Sequence, residues 1–205
     1  MKIPISLFAF LCIAATSYGQ GKLGITFDGP PVQPPGTAFT VTNYYESGML
    51  FKPLPGSFGF GRIGSSPVSF RPDNGTAYLQ AALGQSLMFN STNGSLFGVF
   101  SVDLAEYSTV VPDAITVSFF GYRFDGSVVT TNFTTDGIID GTGPLNDFQT
   151  FYFGSEFNNL SRVEIPTYGW SLDNLTVAIP EPSTFTLLLT GGALFAAFRF
   201  RKRKN

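Results

Sequence analysis

Residues 115–133 read ITVSFFGYRFDGSVVTTNF. Ile115, Val117 and Phe119 alternate with Thr116 and Ser118, the period-2 pattern of a strand with one buried and one wet face. Asp125-Gly126 then supplies a hairpin turn, because glycine accepts positive φ without steric cost. Two strands joined in this way need further strands to bury their apolar face. The neighbouring sequence provides them. Short β-branched and aromatic runs at 23–27, 38–45, 96–102, 148–153, 160–165 and 170–177 are separated by Gly, Pro, Asn and Asp clusters. No stretch of 20–178 has helical periodicity and none repeats. The pattern predicts an all-β domain, a two-sheet antiparallel sandwich of jelly-roll type. The stretch 46–95 is less regular and reads as long loops with a few short strands.

Composition narrows the chemistry. The 205 residues include 23 Gly and 23 Phe, only 13% are charged, and there is no histidine. A Ser-His-Asp triad, a His-based zinc site and a Cys-His dyad are therefore excluded. The single cysteine, Cys12, lies in a segment expected to be removed, which leaves no disulfide and no thiol nucleophile.

Both ends read as addresses. Residues 1–19, MKIPISLFAFLCIAATSYG, place Lys2 before an apolar run from Ile5 to Ala15 and end on the small-residue site Ser17-Tyr18-Gly19. This is the layout of a secretory signal peptide, with signal peptidase expected to cut after Gly19. At the other end Pro180-Glu181-Pro182-Ser183-Thr184 precedes the apolar FTLLLTGGALFAAF (185–198) and the basic residues Arg199, Arg201, Lys202, Arg203 and Lys204. Extended by Ser183, Thr184 and Phe200, the apolar stretch is just long enough to cross a bilayer as a helix, and the cations behind it hold that end in the cytoplasm. Pro180 and Pro182 cannot continue the helix backwards, so an extended stalk precedes it. The expected organisation is a signal peptide (1–19), a β-sandwich ectodomain (20–178) and a C-terminal sorting segment (179–205).

With Lys2 and the five tail cations set aside, residues 20–180 keep 6 basic and 13 acidic residues, a net of −7. No basic face is available for nucleic acid. Cations or neutral sugars are the more plausible partners.

The three-part tail resembles the PEP-CTERM sorting signal. That resemblance implies recognition by an exosortase, a membrane transpeptidase or protease of Gram-negative bacteria. It implies cutting at Pro180-Glu181-Pro182 and delivery of the product to the cell surface or extracellular matrix. An uncut tail anchor is the alternative. The ectodomain layout (FGVFSVDLAEYS, the FDGS hairpin, DFQTFYF and a closing WSLDNLTV) resembles galactose-binding-like and carbohydrate-binding-module sandwiches, which implies a binding or matrix role. In such sandwiches a structural calcium often sits where the first and last strands meet, and Asp28 and Asp173 are its candidate ligands here. Hydrogen bonding of Asp28 in a turn and of Asp173 at a strand edge is the competing reading, and it ranks first.

Other candidates follow from residue chemistry. Planar rings suit the C–H face of a sugar, and Tyr168, beside Gly169 in a loop, and Tyr122 are the best placed; Trp170 reads as core. Asp103 and Glu106 are spaced to opposite faces of a strand, a poor pair for glycoside hydrolysis, and read as surface or loop carboxylates. The acidic loop 136–147 lacks EF-hand spacing. The six Asn-x-Ser/Thr sequons are ordinary β-turn composition. The expected function is a non-enzymatic, exported matrix protein that binds polysaccharide. A carboxylate-dependent glycoside hydrolase and a purely adhesive passenger are the alternatives.

Overall fold

The computed structural model describes residues 20–65, 70–108, 110, 113–138 and 147–180. Its strands run in the order β1 (Gln20–Ile25), β2 (Ala38–Val41), β3 (Tyr44–Glu46), β4 (Met49–Lys52), β5 (Phe60–Ile63), β6 (Tyr78–Ala81), β7 (Leu87–Ser91), β8 (Gly98–Glu106), β9 (Thr116–Arg123), β10 (Val128–Thr134), β11 (Gln149–Tyr152), β12 (Leu160–Ile165) and β13 (Trp170–Pro180). Among the described residues a 3-10 turn, Ser155–Phe157, lies between β11 and β12. By its contacts the chain divides into Lys22–Ile179 and a second unit, Met1–Gly21 with Pro180–Asn205. Of the second unit only Gln20, Gly21 and Pro180 are among the described residues. The predicted signal peptide and tail helix lie outside them. Among the described residues no helix is long and apolar enough to cross a membrane.

The hairpin read from the sequence is β9–β10, in register from Val128↔Tyr122 to Thr134↔Thr116. It forms one end of a six-stranded sheet ordered β10-β9-β12-β7-β4-β3. A seven-stranded sheet ordered β11-β8-β13-β6-β5-β2, with β1 on β13, faces it. The inward residues of both sheets make one core. Val117, Phe119, Phe89, Phe51 and Val163 come from the first sheet, and Leu104, Leu79, Leu172 and Trp170 from the second. Rings dominate it. Phe27 and Phe51 meet edge-on at 5.2 Å, and Phe119 and Phe153 at 5.1 Å. Full burial of one such side chain contributes about 1.5–3 kcal/mol, which explains how so phenylalanine-rich a chain holds together with no disulfide. The all-β sandwich expected from the alternation is the observed architecture.

The stretch 46–95, read as long loops with a few short strands, is richer in strand than that reading. It carries the end of β3 and all of β4, β5, β6 and β7. These strands have only four or five residues after β3, and β6 (YLQA) is buried at every position, so little period-2 alternation exists to be read. The last strand also runs further than predicted, because Val177 and Ala178 pair with Val99 and Gly98.

Glu106 corrects another expectation. It is 1% exposed, not a surface carboxylate. Val102, Leu104 and Glu106 share the inward face of β8, so parity carries the glutamate inside. Its Oε1 accepts from Gly137 N at 2.8 Å. Arg62 is buried too, at the inward position opposite Leu79. Its Nε donates to Phe27 O at 3.1 Å, Nη2 to Gly29 O at 2.7 Å and Nη1 to Pro31 O. The Tyr44 ring lies 4.3 Å from its guanidinium carbon. The Tyr44 hydroxyl donates to Glu46 at 2.7 Å, and Glu46 in turn accepts from Phe27 N at 2.9 Å. Arg62 and Glu46 thus clamp the segment after β1 to the sheets.

Candidate ligand-binding face

The two sheets differ in what covers their outer faces. On the seven-stranded sheet the outward residues Tyr78, Gln80, Ser171 and Asp173 are all buried. Gln80 Nε2 donates to Tyr107 O at 2.7 Å, Ser171 Oγ to Glu106 O at 3.0 Å and the Tyr78 hydroxyl to Pro72 O at 2.7 Å. A hydrogen-bonded polar layer covers the middle of that face, over β6 and β13, while Thr150 and Tyr152 of the edge strand β11 stay exposed. On the six-stranded sheet the outward residues are half-buried or exposed, so this face is open to a ligand.

Register places an ordered row across it. Thr130 lies opposite Phe120, Phe120 opposite Glu164, Glu164 opposite Met88, and Met88 opposite Lys52. Four inter-strand steps of about 4.8 Å give a band of roughly 19 Å. Hydroxyl, ring, carboxylate, thioether and ammonium follow one another along it. Beside this row Val128 lies opposite Tyr122, and Tyr122 opposite Arg162.

Tyr122, Arg162 and Glu164 form the polar centre. The Arg162 guanidinium carbon is 3.7 Å from the Tyr122 ring centroid, and Arg162 Nε donates to Glu164 Oε1 at 2.7 Å. The Glu164 carboxylate, hydrogen-bonded to Tyr122, raises the phenol above its usual range. The cluster holds cationic donors, an anionic acceptor and a phenol within one patch. Such a set can pair with hydroxyl groups, which both donate and accept.

Residues 178–204 match the PEP-CTERM protein-sorting motif. The chain thus carries this sorting signal on the C-terminal side of its sandwich. Of the motif, Ala178, Ile179 and Pro180 are described and close β13. Glu181, Pro182, Ser183, Thr184 and the basic residues Arg199, Arg201, Lys202, Arg203 and Lys204 lie outside the described residues. Two solved structures of family 29 carbohydrate-binding modules are similar to the chain. One, a substituted form used to probe ligand recognition, is 11% identical, with a TM-score of 0.37 over 78% of this chain and 85% of that one. The other is 12% identical, with a TM-score of 0.33 over 78% and 88%. Likeness at this level brings no ligand across. No curated protein matches the chain.

The remaining candidates fall in separate places. Tyr168 is exposed in the β12–β13 loop, next to Thr167, whose Oγ1 accepts from Ser118 N of β9 at 3.3 Å. Asp28 and Asp173 are brought close by the loop that leads into β6. Ala77 N donates to Asp28 Oδ1 at 2.8 Å; Thr76 Oγ1 donates to Asp173 Oδ2 at 2.7 Å, Asn74 Nδ2 donates to the same oxygen, and Asn174 N donates to Oδ1 at 2.7 Å. Burial pushes the Asp173 carboxyl up to about 7, against the pull of these donors and with a small push from the nearby Asp28 charge. Asp173 thus accepts from three donors and Asp28 from one, and among the described residues no group of three or more acidic, His or Cys side chains could hold a metal ion. The donors around Asp28 and Asp173 suit the hydrogen-bonding reading of both residues.

Asp103 and Glu106 point to opposite sides of β8. Asp103 accepts from Thr150 Oγ1 at 2.6 Å and Asn174 Nδ2 at 2.8 Å on the outer side. Sequence reasoning missed Arg162 and Glu164. The spacing Arg-Val-Glu on a predicted strand was the available signal, since residues two apart share a face.

Proposed function

We propose that this chain is an exported, non-enzymatic protein of the cell surface or extracellular matrix whose open six-stranded face binds polysaccharide. Signal peptidase and an exosortase process it, and before that step its tail sits in the membrane. The observation that carries the reading is the Tyr122–Arg162–Glu164 centre beside the Thr130-to-Lys52 row, on the sheet whose outward residues are half-buried or exposed on all six strands. Apolar ring and thioether surface suits the C–H face of a sugar, and the charged cluster suits its hydroxyls. The net charge of −7 on residues 20–180 turns away nucleic acid. The similarity to carbohydrate-binding modules agrees with this but does not bear the weight of it.

The test is a panel of immobilised neutral and acidic glycans, read together with release of new reducing ends. Binding without release is the expected result. Release of reducing ends would instead support the hydrolase alternative, and absence of any binding would support the adhesive passenger.

A further inference from the structure

The six-stranded sheet ends in a strand that natural proteins usually guard. β10 (VVTTNFT) is seven residues long and pairs only with β9 among the described residues. The bonds from Arg123 N to Ser127 O and from Thr135 N to Ile115 O fix the ladder phase. Odd-numbered residues of β10 therefore bond to β9. The N–H and C=O groups of Val128, Thr130, Asn132 and Thr134 point away from the sheet, and all four residues are exposed. An open edge is commonly protected by lysine, proline, a bulge or short length. β10 has no charge, no proline and an unbroken register. The other edges are shorter: β3 has three residues and carries Glu46, and β2 and β11 have four each.

We propose that β10 is a self-association edge that pairs antiparallel with β10 of a second copy of this chain. A two-fold axis at Thr131 sets residue i opposite the partner residue that makes their numbers sum to twice that position. Val128 then meets Thr134 and Thr130 meets Asn132, so every outward backbone group finds a partner. On the other side of the ribbon Val129 meets Phe133 and Thr131 meets its own copy. No charged side chain faces another across the seven residues. This is the property that selects a second copy, because two domains of net −7 repel wherever their acidic surfaces meet. Asp125 and Asp136 flank the strand, so added salt should strengthen the pairing by screening them. The interface is isologous and closes on itself, giving a dimer and not a fibre.

The experiment uses the full chain in detergent, in a Cys12→Ser background. In the proposed register the two Thr131 residues form a non-hydrogen-bonded pair with Cα atoms about 4.5 Å apart, within the range a disulfide spans. Thr131→Cys should therefore form a covalent dimer under mild oxidation. Phe124→Cys, at the 87%-exposed hairpin tip, should not. Without oxidant the parent chain should show twice the mass of Thr130→Pro, whose lost N–H points outward and is not needed by β9. Thr130→Lys, which guards the edge without touching backbone geometry, should behave as Thr130→Pro does. Failure of Thr131→Cys to cross-link, equal cross-linking of both cysteine variants, or an unchanged mass in both Thr130 variants with a native circular dichroism spectrum overturns the proposal.

Discussion

Arg162 stands over the ring of Tyr122 at 3.7 Å and holds Glu164 through Nε at 2.7 Å. One face of that ring is thus already taken by the guanidinium, so a ligand meets the arginine and the phenol edge together and not a bare aromatic plate. The pair is too exposed to hold the fold. An exposed ion pair contributes up to about 1 kcal/mol and an exposed cation–π contact about 0.5–1 kcal/mol. Arg162→Ala should therefore lower stability by about 1 kcal/mol while reducing polysaccharide affinity about tenfold or more. Calorimetric titration beside a denaturant melt separates the two. A large stability loss with unchanged affinity would make the cluster structural.

Asp173 should make the fold favour mild acid. Its carboxyl is pushed up to about 7 in the folded chain, above an ordinary value of 3.8, chiefly by burial. Between those values the folded state binds a proton that the unfolded chain does not. Stability from this group is present in full below about pH 4, falls as pH rises through 7 and is flat beyond. Asp173→Asn should flatten the difference between urea melts at pH 5 and pH 8, which in the parent amounts to a few kcal/mol. Chelator should leave the melting temperature of both unchanged, since donors and not a cation satisfy the carboxylate.

Arg62 is the polar group whose loss should cost most. Its guanidinium serves the carbonyls of Phe27, Gly29 and Pro31 from a site 1% exposed. Arg62→Met keeps the apolar stem and strands the carbonyls, at about 1–3 kcal/mol for each one left unpaired. Lysine has no planar fork and should not rescue it. Thermal melts of Arg62→Met and Arg62→Lys should both fall well below the parent; a fully stable lysine variant would show that charge alone suffices.

The hairpin 115–133 was legible because each of its faces has one environment, so alternation shows in the letters. β6 was not, because the polar layer over the seven-stranded sheet buries Tyr78 and Gln80 as completely as Leu79 and Ala81. The same cover buries Ser171 and Asp173 on the neighbouring strand. The binding face failed for another reason. Tyr122 and Arg162 lie 40 positions apart, and only the sheet order β9-β12 makes them neighbours. Alternation marks which side of a strand is buried and carries no record of which strand lies beside it. The sorting signal, in contrast, was fully legible, because it is contiguous and its parts act through order along the chain.

Gly59 tests the close approach of β2 and β5. Its φ of +133° lies where L side chains are rare, and a Cβ built there meets Val41 O and Thr40 Cγ2, both at 2.8 Å. The oxygen is backbone held in the sheet and cannot turn aside. Gly59→Ala should lose about 2–4 kcal/mol, from strained backbone and overpacking together. Gly56, at φ +90° with open space around it, is the control. Gly56→Ala should lose only the backbone part, and equal losses in the two would mean that the sheet contact is immaterial.

Glu181 lies between two prolines that fix their own φ and lack N–H groups. From the sequence alone, Glu181 is expected to be a single charge between two residues of restricted backbone. An exosortase that reads this charge should fail on Glu181→Ala and on Glu181→Gln alike, although Gln keeps the shape. Full-length chain should then accumulate in the membrane fraction of the native host, with the parent found outside it and shorter by its tail. Intact mass of both fractions decides the matter. Normal release of the Gln variant would shift recognition from the charge to the proline-bracketed backbone, and normal release of both would detach processing from this motif.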